Sequence, residues 1–228
     1  MNSIKRKARI AGLFYLLMAI TGPLGILYAP SQIMVEGDVA ATFQNLSDQE
    51  FLFRLGTFSF LLTSIVYIFL VLAFNDLFRP ISEKLTNLML VFVLVQVPIF
   101  FLLETFNLGA LLISRGEILS SLAITEKQEF ASLLLLLNSK GEILLSMFWG
   151  LWLFPLGLLS IKSGFIPKII GVLLILGGVG YVIESTSNIL FAEINFWLST
   201  ILLILVTPGE LIMVLWLLIK GVREPKAA

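Results

Sequence analysis

The chain contains no cysteine and no histidine. Without cysteine there can be no disulfide, thiolate nucleophile or thiolate metal site. Without histidine it loses the usual general base, haem ligand and zinc ligand, and hydrolase triads built on serine go with them. Charge is also scarce: charged residues are 13% of the 228, against 58% hydrophobic ones. A soluble domain of this length needs far more charge to cover its surface. The 15 basic and 15 acidic residues cancel, so net charge points to no partner, and nothing indicates nucleic-acid binding. Any catalysis is left to carboxylates, lysine, hydroxyls or a metal held by oxygen atoms.

What the chain has in quantity is long apolar runs. Their lengths predict an all-α, polytopic integral membrane protein, a single domain of six transmembrane helices covering residues 1–228. The expected spans are about 10–28, 51–77, 87–113, 130–161, 169–190 and 196–219. These leave no room for a separate soluble domain. The first run follows the basic stretch Lys5-Arg6-Lys7-Ala8-Arg9 and reads as a retained helix rather than a cleaved signal, being long and lacking a clear cleavage site. Gly22-Pro23-Leu24-Gly25 should loosen or end it.

Local punctuation supports this division. Asp38 can cap a short helix over Val39 to Leu46, and Ser47-x-x-Glu50 reads as a capping box opening the second span. Arg79-Pro80 should stop that helix. Thr125-x-x-Gln128 is a second capping-box pattern ahead of the fourth span. Gly164 suits a C-terminal cap and Pro167 a helix start, so Lys162 to Lys168 reads as a tight turn. Pro208 should kink the sixth span. No internal repeat is evident, so an inverted-repeat transporter has no support.

The positive-inside rule orients the chain with both termini cytoplasmic, which places 11 of the 15 basic residues on the inner side. The outer loops then carry Glu36, Asp38, Asp48, Glu50, Glu117, Glu126, Glu129 and Glu193. The expected location is a bacterial cytoplasmic membrane, with the lipid bilayer as the one partner the sequence names.

Four glutamates interrupt the apolar segments: Glu104, Glu142, Glu184 and Glu210. A carboxylate in hydrocarbon is costly unless it is paired, protonated or facing water. At 100° per residue Gln96, Phe100, Glu104 and Asn107 fall within about 80° of one another, a polar stripe on an apolar helix. Asn138 and Glu142 share a face four residues apart, and Tyr181, Glu184, Ser185 and Asn188 form a second stripe. Arg54 offers a cation near the outer start of the second span. Depth along the helices groups Arg54, Glu104, Asn107, Asn138, Glu142, Glu184 and Asn188 toward the outside and leaves Glu210 deeper.

Two readings of these groups remain open. In one, Arg54 and Lys140 neutralise two carboxylates and asparagines satisfy the rest, while Gly171, Gly177, Gly178 and Gly180 let helices approach closely. In the other, four acids against two cations within the spans leave a carboxylate neutral or waiting for a ligand. Lys140 reads more simply as a snorkelling side chain than as a catalytic one. Trp149, Trp152, Trp197 and Trp216 read as packing or interfacial anchors.

Several segments are familiar in combination. They are Ala8-Arg9-Ile10-Ala11-Gly12-Leu13-Phe14-Tyr15-Leu16, Leu52-Phe53-Arg54-Leu55-Gly56 and Leu77-Phe78-Arg79-Pro80. With them go the run from Ser163 to Leu174, Gly180-Tyr181, Gly209-Glu210-Leu211, and the run from Leu215 to Gly221. Together they resemble a bacterial membrane family of unknown function, DUF 4386, over almost the whole chain. The resemblance implies a multi-span membrane protein with no assigned activity, and draws attention to Arg54, Glu184 and Glu210.

The expected role is binding or moving a small cationic or proton-linked ligand through an outward-facing acidic cavity. The candidate residues are Arg54, Glu104, Asn107, Asn138, Glu142, Glu184, Asn188 and Glu210. No catalytic residue and no cofactor is expected on this reading. The alternatives are an intramembrane enzyme acting on a lipid or isoprenoid with an oxygen-ligated divalent metal, and a structural or regulatory membrane partner with no chemistry. The identity of a small ligand, lipid or protein partner stays open at this stage.

Overall fold

A computed structural model describes residues 3–191 and 208–222. Among these residues all regular structure is helical. Helix α1 (Ser3–Pro23) runs into a π-helical turn, Leu24–Tyr28, and on into α2 (Ala29–Ile33). Then come α3 (Val39–Asp48), α4 (Glu50–Phe78), α5 (Glu83–Ser114), α6 (Ile124–Ser163) and α7 (Lys168–Leu190). Residues 208–215 form α8, and Trp216–Lys220 continue it as a π-helical turn.

Among the described residues five helical stretches are long and apolar enough to cross a membrane: Ile4–Ile33, Glu50–Phe78, Glu83–Ser114, Ile124–Ser163 and Lys168–Leu190. Many of their large apolar side chains stay exposed, among them Phe58 at 62% and Leu102 at 59%. On a water-soluble surface such side chains would form extended patches, whereas lipid accepts them without cost. The expected sixth span begins outside the described residues, as does the segment ahead of Pro208 where a kink was expected; Trp197 also lies there. Of that span residues 208–219 are described, and this stretch is helical.

Several boundaries differ from the sequence expectation for identifiable reasons. Pro23 loosens the first helix without ending it: the chain passes into the π turn, in which Ala29 N–H bonds back to Leu24 O, and continues to Ile33. Asp38 caps α3 as expected, its Oδ1 accepting from Ala41 N–H at 2.8 Å. Ser47, however, does not open α4. It lies inside α3 and its hydroxyl donates to Ser114 O at 3.4 Å. Helix α5 starts at Glu83, a turn earlier than expected, because the Ser82 hydroxyl accepts from Leu85 N–H.

The second capping box also shifts. Glu126, three residues after Ala123, reaches back to accept from Ala123 N–H at 2.7 Å, so α6 begins at Ile124 and Thr125 is already helical. Helix α4 ends before Arg79-Pro80, Gly164 turns with φ 70°, and α7 starts after Pro167, all as expected.

The chain divides into two compact units. As far as its residues are described, the first comprises Met1–Met18, Val66–Val97 and Ile143–Ala228. Within it α6 and α7 meet through glycines: a Cβ on Gly157 would lie 2.6 Å from Gly171 O, and one on Gly150 would lie 2.5 Å from Gly178 O. Trp152 is 1% exposed and packs edge-to-face on Tyr67, a packing role as expected.

The second unit comprises Ala19–Ile65 and Pro98–Glu142. Helix α3 turns Phe43 and Leu46 into a core shared with Ile33, Phe53, Leu111 and Leu135. Each fully buried side chain of this size contributes about 1.5–3 kcal/mol relative to exposure in water. That burial gives the short helix a reason to form despite its 10 residues.

Candidate functional site

In the second unit, α5 and α6 bring two of the acids together. Glu104 is 2% exposed. Its Oε2 accepts from Asn107 Nδ2 at 3.0 Å, a contact that three-residue helical spacing makes available. The side chains of Thr57 and Asn138 also lie beside this carboxyl. Asn138, 5% exposed, donates from Nδ2 to Leu103 O at 3.0 Å and so ties α6 to α5 at the level of Glu104. One turn further along α6, Glu142 lies within electrostatic reach of Glu104. It has no hydrogen bond or ion pair among the described residues. Gly141 packs directly against the Leu103 side chain, which would have to shift to admit a Cβ there.

Arg54 is placed elsewhere. Its Nε donates to Glu50 Oε1 at 2.6 Å, and the same oxygen accepts from Arg115 Nη1 at 2.7 Å. This exposed acid-and-two-arginine group lies at the N-terminal end of α4, and none of its members pairs with Glu104 or Glu142. Lys140 is exposed. Glu104 therefore has amide and hydroxyl neighbours, and neither acid has a cation partner among the described residues.

Glu184, Asn188 and Glu210 belong to the first unit. Asn188 Nδ2 donates to the Glu184 backbone oxygen at 3.0 Å, so it satisfies its own helix. The Glu184 carboxyl has no hydrogen bond or ion pair among the described residues. Glu210 accepts from the Tyr15 hydroxyl at 2.6 Å. Gln96, expected to share a stripe with Glu104, instead belongs to the first unit, its Nε2 donating to Phe92 O at 2.6 Å. Sequence reasoning missed Thr57, Tyr15 and Tyr67. The usable signal was that tyrosine is rare here, with four in the chain, and a phenol inside a span needs a hydrogen-bond partner.

Two carboxylates that feel each other's charge in a buried site are stabilised by a shared proton or cation. The Glu104 and Glu142 pair has the components for that and has no counter-ion among the described residues. Among the described residues no group of three acidic side chains converges as a metal site requires, so the intramembrane metalloenzyme reading gains no support from the geometry.

Comparison with known proteins agrees with the sequence. A stretch of 75 residues is 33% identical to an uncharacterised protein from Archaeoglobus fulgidus, covering 33% of this chain and 43% of that protein. The aligned part thus spans less than half the length of that relative. No solved structure matches the chain. A family model described as a domain of unknown function, DUF4386, matches residues 10–221. With nearly every described helix inside that match, the chain belongs to the DUF4386 family.

Proposed function

We propose that Glu104 and Glu142 form a binding site for a small cation or a proton, and that the protein binds or moves that ligand at a bacterial cytoplasmic membrane. The observation that carries this reading is the burial of Glu104, 2% exposed inside a membrane-length helix, with only neutral hydrogen-bond partners. Intramembrane acids of this kind are expensive and mark ion or proton pathways. Asn107 fixes the Glu104 carboxyl, Asn138 holds the helix that carries Glu142, and the ligand supplies the missing positive charge.

With both termini cytoplasmic and a sixth span over 196–219, the site lies toward the outer face and opens there. Arg54 then stands at the outer end of α4 with Glu50 and Arg115, where it shapes the local field without entering the site.

The test is binding and flux with purified protein in liposomes. Sodium, potassium and choline salts are compared for protection against thermal unfolding, and an internal pH-sensitive dye reports proton movement under an imposed gradient. Protection or flux lost in both Glu104→Gln and Glu142→Gln supports the reading. Unchanged protection and flux in both variants refute it.

A further inference from the structure

The first unit contains a polar cluster that the Glu104 site does not use. Tyr15 from α1, Tyr67 from α4 and Tyr181 from α7 gather at Glu210 on α8. The Tyr15 hydroxyl donates to Glu210 Oε2 at 2.6 Å. The Tyr181 hydroxyl lies beside the same carboxyl, and Tyr67 is within its electrostatic reach. Trp152 from α6 packs against the group, its ring centroid 5.9 Å from that of Tyr15 and 5.1 Å from that of Tyr67. Tyr15 and Tyr67 are 1% and 4% exposed. No lysine or arginine pairs with Glu210 among the described residues, and the other charged group in reach is Glu184, which acts on Tyr181.

A second observation comes from α5. Gln96 is fully buried, and its Nε2 donates to Phe92 O at 2.6 Å and to Phe148 O at 3.5 Å. Its Oε1 has no hydrogen-bond partner among the described residues. An unmet buried acceptor costs free energy, and native proteins keep few of them. This one lies beside Tyr67, which also faces Glu210.

We propose that Glu210, Tyr15, Tyr67, Tyr181 and Gln96 form a proton-binding site. The Glu210 carboxylate takes a proton from water at the membrane surface. One O–H bond forms on the carboxyl, one breaks on the donor, and nothing is oxidised or reduced. In the ionised state the carboxylate is held by the Tyr15 and Tyr181 hydroxyls. In the neutral state the carboxyl has its own O–H to donate, and the tyrosine hydroxyls no longer need to point at it.

A proton suits this site better than a metal ion or an ammonium group. Among the described residues Glu210 is the one carboxylate within reach of all three phenols, Tyr15 already occupies one of its oxygens, and the rings of Tyr15, Tyr67 and Trp152 pack together beside it. A proton needs no coordination shell. The inference does not depend on the Glu104 and Glu142 reading.

The test is pH-difference infrared spectroscopy on the full chain in lipid bilayers. It uses a Glu104→Gln/Glu142→Gln/Glu184→Gln background so that the other acids within the apolar helices do not contribute. The expected result is a protonated-carboxyl band that rises as pH falls and disappears in Glu210→Gln, together with a tyrosine ring band that titrates in step. Tyr15→Phe keeps the ring contacts and removes one donor to the carboxylate, so at a fixed pH it should raise the ratio of protonated to ionised carboxyl roughly tenfold. A band that persists in Glu210→Gln, or a Tyr15→Phe titration identical to the parent, overturns the proposal. If Glu210→Gln fails to fold, the Tyr15→Phe shift alone decides.

Discussion

Replacing Glu104 separates a charge kept for a ligand from a charge that holds the fold. Glu104→Ala removes the acceptor for Asn107 Nδ2, now bonded at 3.0 Å, and empties space where the side chain was 2% exposed. A stranded donor costs about 1–3 kcal/mol, and the cavity brings the total to about 3 kcal/mol. Glu104→Gln keeps the shape and an oxygen acceptor for Asn107 but removes any ionised form, whose effective burial cost is several kcal/mol. Its stability should therefore lie within about 1 kcal/mol of the parent or above it. At about 2–4 °C per kcal/mol for a chain of this size, the Ala variant should unfold about 6–12 °C below the parent and the Gln variant at or above it. The assay is thermal unfolding in one detergent at neutral pH without added ligand. If Gln is destabilised as strongly as Ala, the charge itself supports the structure, and Glu104 is a scaffold residue.

The remaining predictions concern topology and packing. The absence of cysteine gives a clean background for thiol labelling: Glu117→Cys should react with an impermeant maleimide in intact cells, and Lys84→Cys only after permeabilisation, with the reverse pattern inverting the topology. Gly157→Ala should destabilise by up to about 2 kcal/mol, overpacking against Gly171 O outweighing the gain in helix propensity, and unfolding at the parent temperature would show that α6 and α7 do not meet there. Asp38→Ala should cost about 1 kcal/mol through loss of the α3 cap, with no change in any Glu104-dependent binding. Arg54→Ala should leave the unfolding midpoint close to that of the parent, since its ion pair with Glu50 is exposed, and a clear drop would mean that it supports more than that pair.

The sequence alone determined that this chain is helical, that it has membrane-length apolar helices, and where most of them stop. These are local matters: the run of apolar residues sets helix length, and Asp38, Pro80, Gly164 and Pro167 act through the backbone of their immediate neighbours. It also identified the four acids within the apolar runs, because a carboxylate in such a run stands out without any knowledge of its surroundings. Caps were legible only where a single side chain sufficed. At Ser47 and Thr125 the motif was present but contacts placed these side chains elsewhere, Ser47 reaching Ser114 and Glu126 returning to Ala123.

Only the tertiary structure decided which polar groups meet. Helical periodicity assigns a face but not the neighbour on that face, so it could not show that Arg54 turns to Glu50, 4 residues before it on the same helix, rather than to an intramembrane acid. It could not separate Gln96 from Glu104, which share a helical stripe yet fall in different units. Nor could it bring together Tyr15 and Glu210, which are 195 residues apart. Contacts between helices depend on crossing geometry and on small residues such as Gly157 and Gly171, whose significance appears only when the facing backbone is known.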